Sequence, residues 1–251
     1  MSTLKIFVLV DGLGGNPRGT FEHLSRLLSG KEYRIILANT QQVRTHEDRV
    51  QAVLSAFSQA TTTDHNADIY LVGLSAGGSA ARIIAERLGN HSRLTGLIML
   101  SPAMPRWVWF TTWTLAKVML GHVREMILGR GFISLTTNEY LRLIAPAAGE
   151  EAQDYAGNRI GISIAEARQL AFWPPGLGVC QCPTLIIGGD QDRWISPRAT
   201  STLAVMMTES GTRVDHCIIE GAGHLVTLPS TVETVADLIK RWIELRRDFH
   251  K

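Results

Sequence analysis

The chain has 251 residues, with 25 Lys and Arg against 23 Asp and Glu and a formal net charge of +2. That length suits one well-buried domain with room for an insertion. The balanced charge, with no basic stripe and no block of like charge, argues against a nucleic-acid partner and against a disordered tail.

The opening residues, Met1-Ser2-Thr3-Leu4-Lys5, run straight into Ile6-Phe7-Val8-Leu9-Val10. Asp11-Gly12 ends this apolar run too soon for a signal-peptide core, so it reads as a strand over residues 4–10 of a cytoplasmic protein. Short runs rich in Val, Ile and Leu then alternate with amphipathic stretches. Strands are predicted at 33–38, 68–72, 94–100, 184–187 and 214–219. Helices are predicted at 20–29, 47–59, 76–88, 197–208 and 231–246. This alternation predicts an α/β fold around a mostly parallel sheet buried on both faces. Thr45 with Asp48, and Ser230 with Glu233, have the spacing of capping boxes. Ser196-Pro197 reads as an N-cap followed by proline at the first helical position.

The alternation breaks between about residues 102 and 178. Residues 106–128 are apolar and helical in pattern, but Lys117, His122, Arg124 and Glu125 interrupt them and argue against a membrane-spanning helix. Shorter helical stretches follow at 138–144 and 163–172, and Pro174-Pro175-Gly176 marks the return to the sheet. The expected organisation is a core of residues 1–103 and 179–251 with a helical cap, 104–178, inserted after the fourth strand. Trp107, Trp109, Phe110, Trp113, Phe172 and Trp173 of this insertion either line an apolar substrate pocket or pack the cap on the core. The three cysteines, Cys180, Cys182 and Cys217, have no second Cys/His pair at zinc spacing and read as reduced thiols rather than metal ligands.

The most informative segment is Gly73-Leu74-Ser75-Ala76-Gly77, which follows a predicted strand and opens a predicted helix. Strand, G-x-S-x-G, helix is the setting of a nucleophile elbow, in which a serine stands on a sharp turn at the positive end of a helix. Glycines two residues to either side let strand and helix approach, because a Cβ there would clash. Such a serine needs a base, and the base needs an acid to hold its tautomer. His224 follows the last strand in a glycine-rich loop, Gly221-Ala222-Gly223-His224. Of the other histidines, His23, His46, His65, His91 and His250 read as surface residues, His216 lies within a strand, and His122 lies in the cap. Asp190 and Asp192, at the end of the 184–187 strand, compete for the acid role, and a loop reaching back toward the histidine favours Asp192. The order Ser75, Asp, His224 suits this architecture. The oxyanion donors are expected to be the N–H of Ala76 and one from the loop Asp11-Gly12-Leu13-Gly14-Gly15, with Leu13 before Gly14.

Together these residues resemble the α/β-hydrolase superfamily over nearly the whole chain outside the cap. The resemblance implies acyl-transfer chemistry without metal or organic cofactor. It also strengthens Asp192, because Gly189 to Asp192 matches a common Gly-x-x-Asp pattern. Two departures stand out. The family's first loop usually begins His-Gly, whereas here it begins Asp11-Gly12. The usual antiparallel opening pair of strands is missing, so a six-stranded, all-parallel sheet is expected, similar to the plant methylesterase and hydroxynitrile lyase branch.

The leading expectation is a serine hydrolase of a carboxylic ester, thioester or lactone with an apolar acyl or aromatic small-molecule substrate, acting as a monomer or homodimer. Lyases, acyltransferases, cyclases and carbon–carbon hydrolases share the fold and form a second class. A receptor-like member with little turnover is a third. Membrane-surface association through the cap is a fourth, and a lid packed on its own core is preferred to it.

Overall fold

The computed structural model describes residues 3–91, 93–105, 117, 120–128, 131–144, 161–172 and 175–247. In chain order it contains β1 (Lys5–Val10), α1 (Pro17–Leu27), β2 (Tyr33–Leu37), α2 (His46–Thr63), β3 (Asp68–Leu74), α3 (Ala76–Leu88) and β4 (Leu94–Leu100). An excursion from the sheet follows, with α4 (Val123–Leu128), β5 (Phe132–Ile133), α5 (Thr137–Ile144), β6 (Ile162–Ser163) and α6 (Ile164–Phe172). The chain then returns through β7 (Thr184–Gly189), α7 (Pro197–Glu209), β8 (Val214–Ile219) and α8 (Pro229–Arg247).

Among the described residues six strands pair in the order β2-β1-β3-β4-β7-β8, every pairing parallel. The all-parallel, six-stranded sheet expected from the sequence is therefore present. Its inner strands are apolar on both sides because both sides are covered, while the edge strands β2 and β8 also carry exposed Arg34 and Asp215. Phe7 and Leu9 of β1 face a cluster containing Phe21 and Leu24 of α1 and Ile239 of α8. Ile6, Val8 and Val10 face a second cluster with Val53 of α2, Ile84 of α3 and Leu203 of α7. The chain steps from β1 outward to β2, then crosses back to place β3 on the other side of β1. That reversal opens a crevice at the C-terminal ends of β1 and β3, the place where open α/β sheets bind ligands.

The excursion is less purely helical than expected. β5 and β6 form a two-stranded antiparallel ribbon, with Phe132 opposite Ser163 and Ile133 opposite Ile162. Two-residue strands are too short to leave an alternation in sequence. Most of the long helix expected at 106–128 lies outside the described residues, and its described end is α4.

Local signals explain most element starts. Ser196 accepts a hydrogen bond from the Ala199 N–H at 3.3 Å, with Pro197 as the first helical residue. Helix α1 begins three residues before the expected start because Asn16, followed by Pro17, caps it. The expected cap at Ser230 is corrected: α8 begins at Pro229, and the carbonyl of Leu228 accepts from the N–H groups of Thr231 and Val232. At α2 the capping box is complete. The Asp48 N–H donates to Thr45 Oγ1 at 3.2 Å, and the Thr45 N–H donates to Asp48 Oδ2 at 2.9 Å. Replacing Thr45 by Ala should cost about 1 kcal/mol, and so lower Tm by about 2–4 °C for a chain of this size. An unchanged melting curve would show that the box adds no stability.

Candidate active site

Ser75 stands between the end of β3 and the start of α3 with φ 53° and ψ −120°, one of two non-glycine residues with positive φ among those described. The neighbouring glycines make that turn sterically possible. A Cβ on Gly73 would lie 2.4 Å from the Gly77 carbonyl oxygen, and one on Gly77 would lie 2.3 Å from that of Val10. The turn is also pinned by the end of β4. The Ser75 N–H donates to the Leu100 carbonyl at 2.9 Å, and the Ser75 carbonyl accepts from Ala103 at 2.8 Å. Ala76 is the first residue of α3, so its N–H is among the donors a helix leaves unsatisfied.

Asp192 and His224 come from the loops after β7 and β8. His224 Nδ1 lies 2.8 Å from Asp192 Oδ2, with both side chains buried. The other oxygen of Asp192 accepts from the N–H groups of Trp194 and Ile195, both at 2.8 Å, which fixes the carboxylate's orientation. A Nδ1 proton directed at this carboxylate leaves the lone pair on Nε2. Asp190 is turned elsewhere and receives a hydrogen bond from Gln191. The indole of Trp194 stacks on the His224 ring with centroids 5.8 Å apart, a neighbour the sequence reading did not select.

Ser75, His224, Leu13 and Gly14 line one cavity of about 260 Å³. Gly12 presses against the serine, where an added Cβ would lie 2.8 Å from that of Ser75. Leu13 and Gly14 follow in a turn closed by the Gly15 N–H on the Gly12 carbonyl, with Gly14 at φ 62°. The excursion supplies much of the apolar wall, through Ile133, Leu135, Tyr140, Ile144 and Ile162. No Asp, Glu, Lys or Arg side chain lines the cavity among the described residues.

The aromatic pocket expected from the sequence is corrected in part. Phe172 is 64% exposed and does not line this cavity. Trp107, Trp109, Phe110, Trp113 and Trp173 lie outside the described residues. His122 does not line the cavity either, standing 3.5 Å from Glu139. Cys180 and Cys182 are buried, and burial raises both thiol pKa values, that of Cys182 to about 12, which makes them poor nucleophiles. Among the described residues no group of three or more His, Cys, Asp or Glu side chains could hold a metal ion, and no helix is long and apolar enough to cross a membrane.

The family model of the alpha/beta hydrolases matches residues 11–238. The chain belongs to the alpha/beta hydrolase family. Solved structures with the same fold include a lipase-esterase related protein from Clostridium acetobutylicum (TM-score 0.69, 17% identity, covering 95% of this chain and 94% of that one). A thermophilic esterase from Thermogutta terrifontis is similar at TM-score 0.69 and 21% identity over 97% of this chain and 91% of its own. A methylesterase from Arabidopsis matches at TM-score 0.68 and 14% identity over 96% and 100%. No curated protein matches the sequence.

Within this alpha/beta hydrolase the residue before Gly12 is the unusual one. Asp11 is fully buried, and Thr40 Oγ1 donates to its Oδ1. Arg49 Nη1 reaches the same oxygen at 3.2 Å and the Asp11 carbonyl at 2.8 Å. The histidine reading is corrected here too: His46, expected on the surface, is buried, with Nδ1 3.4 Å from Glu166 and Nε2 3.2 Å from Ser79. Burial raises the Asp11 pKa to about 6 although Arg49 and Thr40 pull it down. A raised folded-state value means that the folded protein holds a proton here that the unfolded chain has lost, between about pH 4 and 6. This site's contribution to stability is therefore fully present below about pH 4 and is lost as pH rises through 6. Relative to Asp11→Asn, the natural protein should gain stability as pH falls from 6 to 4, read by urea denaturation at several pH values. A difference that stays constant across that window would refute the shift.

Proposed function

We propose that the chain is a serine hydrolase that cleaves a carboxylic ester, thioester or lactone through an acyl-enzyme. The observation that carries this reading is one shared cavity. Ser75 on its strained turn and His224, backed by Asp192 at 2.8 Å, both line it. In this reading Ser75 Oγ attacks the carbonyl carbon as His224 Nε2 takes its proton. Asp192 holds the Nδ1 proton and stabilises the imidazolium. The N–H groups of Ala76 and Leu13 receive the negative oxygen. His224 then protonates the leaving group, and water, deprotonated by the same nitrogen, releases the acid and restores Ser75.

The cavity walls support an uncharged substrate with an apolar acyl or aromatic part. A charged group there would find no Asp, Glu, Lys or Arg counter-ion among the described lining residues. Family membership supports hydrolysis, and the structural neighbours include esterases and a monoacylglycerol lipase. In the proposed organisation residues 1–103 and 179–251 are the hydrolase core, and 104–178 form a cap that walls the site.

Covalent labelling with a fluorophosphonate, read by intact mass, tests the reading. The natural protein should gain one adduct and Ser75→Ala none, and a natural protein that takes none would overturn the mechanism. On an ester that the protein turns over, Ser75→Ala should lower kcat by about 10⁶ and Asp192→Asn by about 10⁴. Asp190→Asn should cost far less, and the reverse ranking would move the acid role to Asp190.

A further inference from the structure

The loop that carries the proposed oxyanion donor is anchored from a distance. Arg49, on the first turn and a half of α2, is buried and extends both ends of its guanidinium. One end holds Asp11, through the backbone carbonyl at 2.8 Å and the side-chain Oδ1 at 3.2 Å. The other end is gripped in a fork by Glu166 of α6, with Nε to Oε1 at 2.6 Å and Nη2 to Oε2 at 2.9 Å. Asp11 immediately precedes Gly12 and Leu13, so fixing its carbonyl fixes the peptide that leads into the loop. The loop then folds back over the same carboxylate: a Cβ on Gly15 would stand 2.7 Å from Asp11 Oδ2.

Glu166 also connects, through His46, to the first turn of α3, the helix that Ala76 opens. His46 lies between Glu166, 3.4 Å from its Nδ1, and Ser79, 3.2 Å from its Nε2. Ser79 is three residues beyond Ala76 on α3. Gln169, on the same helix as Glu166, accepts from the His46 N–H at 3.0 Å and closes the open end of α2. One helix of the excursion is thus linked, through buried Arg49 and His46, to the residue that precedes the 12–15 loop and to the first turn of α3. A guanidinium at this depth requires a charged partner, because removing one member of a buried ion pair leaves the other uncompensated.

We propose that Arg49 is the positioning residue of the 11–15 loop, and that Glu166 holds it in place, so that the oxyanion donors are set only while α6 is seated. This rests on the acyl-transfer reading above and adds to it a coupling between the inserted segment and the catalytic geometry. Arg49 and Glu166 touch no reacting atom. They act through the orientation of the Asp11 peptide and the start of α3.

The test compares the natural protein with Glu166→Gln and Arg49→Lys. Gln keeps the shape of the fork without the charge, and Lys keeps the charge but cannot span both partners. Two readouts are taken on each: amide hydrogen exchange at residues 12–15, and the rate of fluorophosphonate labelling together with kcat and KM on one ester. Exchange at 12–15 should quicken in both variants while β1 and β3 stay protected. Labelling and kcat should fall by about 10²-fold, the scale of one lost oxyanion donor, with KM little changed. Unchanged exchange and labelling in folded variants would overturn the proposal. So would exchange that rises equally across β1, α2 and α3, which would mark a merely structural role. If Arg49→Lys does not fold, Glu166→Gln and the milder Gln169→Ala, which loosens the same helix, decide the matter. A natural protein that takes no label overturns the acyl-transfer reading, while the exchange measurement still judges the coupling.

Discussion

The site is built outward from the backbone of Ser75. A residue at φ 53° and ψ −120° lets the chain leave β3 and enter α3 without an intervening loop. Conformations of this kind cost about 1–3 kcal/mol for a residue with a side chain and persist only where the surroundings over-determine them. Here Leu100 at the end of β4 takes the serine's N–H, and Ala103, three residues further on, donates to its carbonyl. The two flanking glycines bring strand, helix and the end of β1 within van der Waals contact. Every other part of the site is placed relative to this turn: Gly12 presses on its Cβ, Ala76 starts the helix it opens, and the histidine loop approaches from the end of β8, three strands away.

The sheet and the excursion contribute different things. The sheet fixes positions, because parallel register aligns the ends of β1, β3, β7 and β8 along one edge. The excursion adds the apolar wall and two polar braces. One is the Glu166 grip on Arg49, and the other is the carbonyl of Ile144, which accepts from the His224 N–H at 2.8 Å. The histidine is therefore held by a carboxylate on its side chain, an indole on its face and a carbonyl from the inserted segment on its backbone. Each restricts a different motion of the ring.

The sequence made the fold legible because burial on both faces gives continuous apolar strands, and all six of the sheet's strands fall where such runs occur. It also selected the three side chains that stand together, because a strained turn with flanking glycines and a chain-order rule are local signals. What it did not disclose is long-range. His46 reads as an ordinary polar helix-start residue, and only the fold places it against Glu166, 120 residues away. Arg49 and Glu166 each look like solvated helix charges, since nothing in a heptad-length window distinguishes a buried ion from an exposed one. Asp11 is legible as a departure from the usual His-Gly, but its partners Thr40 and Arg49 lie 29 and 38 residues away and leave no local signal. Trp194 carries no local signal of this kind, because the aromatic density of residues 107–113 points to a pocket there, whereas the described wall mixes Leu and Ile side chains with glycines, hydroxyls and the Trp194 indole.

The Arg49–Glu166 fork joins positions 117 residues apart on two separate parts of the chain, and this bears on descent. Here a transplanted segment lacking a carboxylate at this depth would leave Arg49 with Asp11 as its remaining carboxylate partner and its Nε and Nη2 donors unmatched in the interior. The two residues are therefore coupled in energy across the chain, and an exchanged segment keeps this bond only if it brings a carboxylate to the place of Glu166.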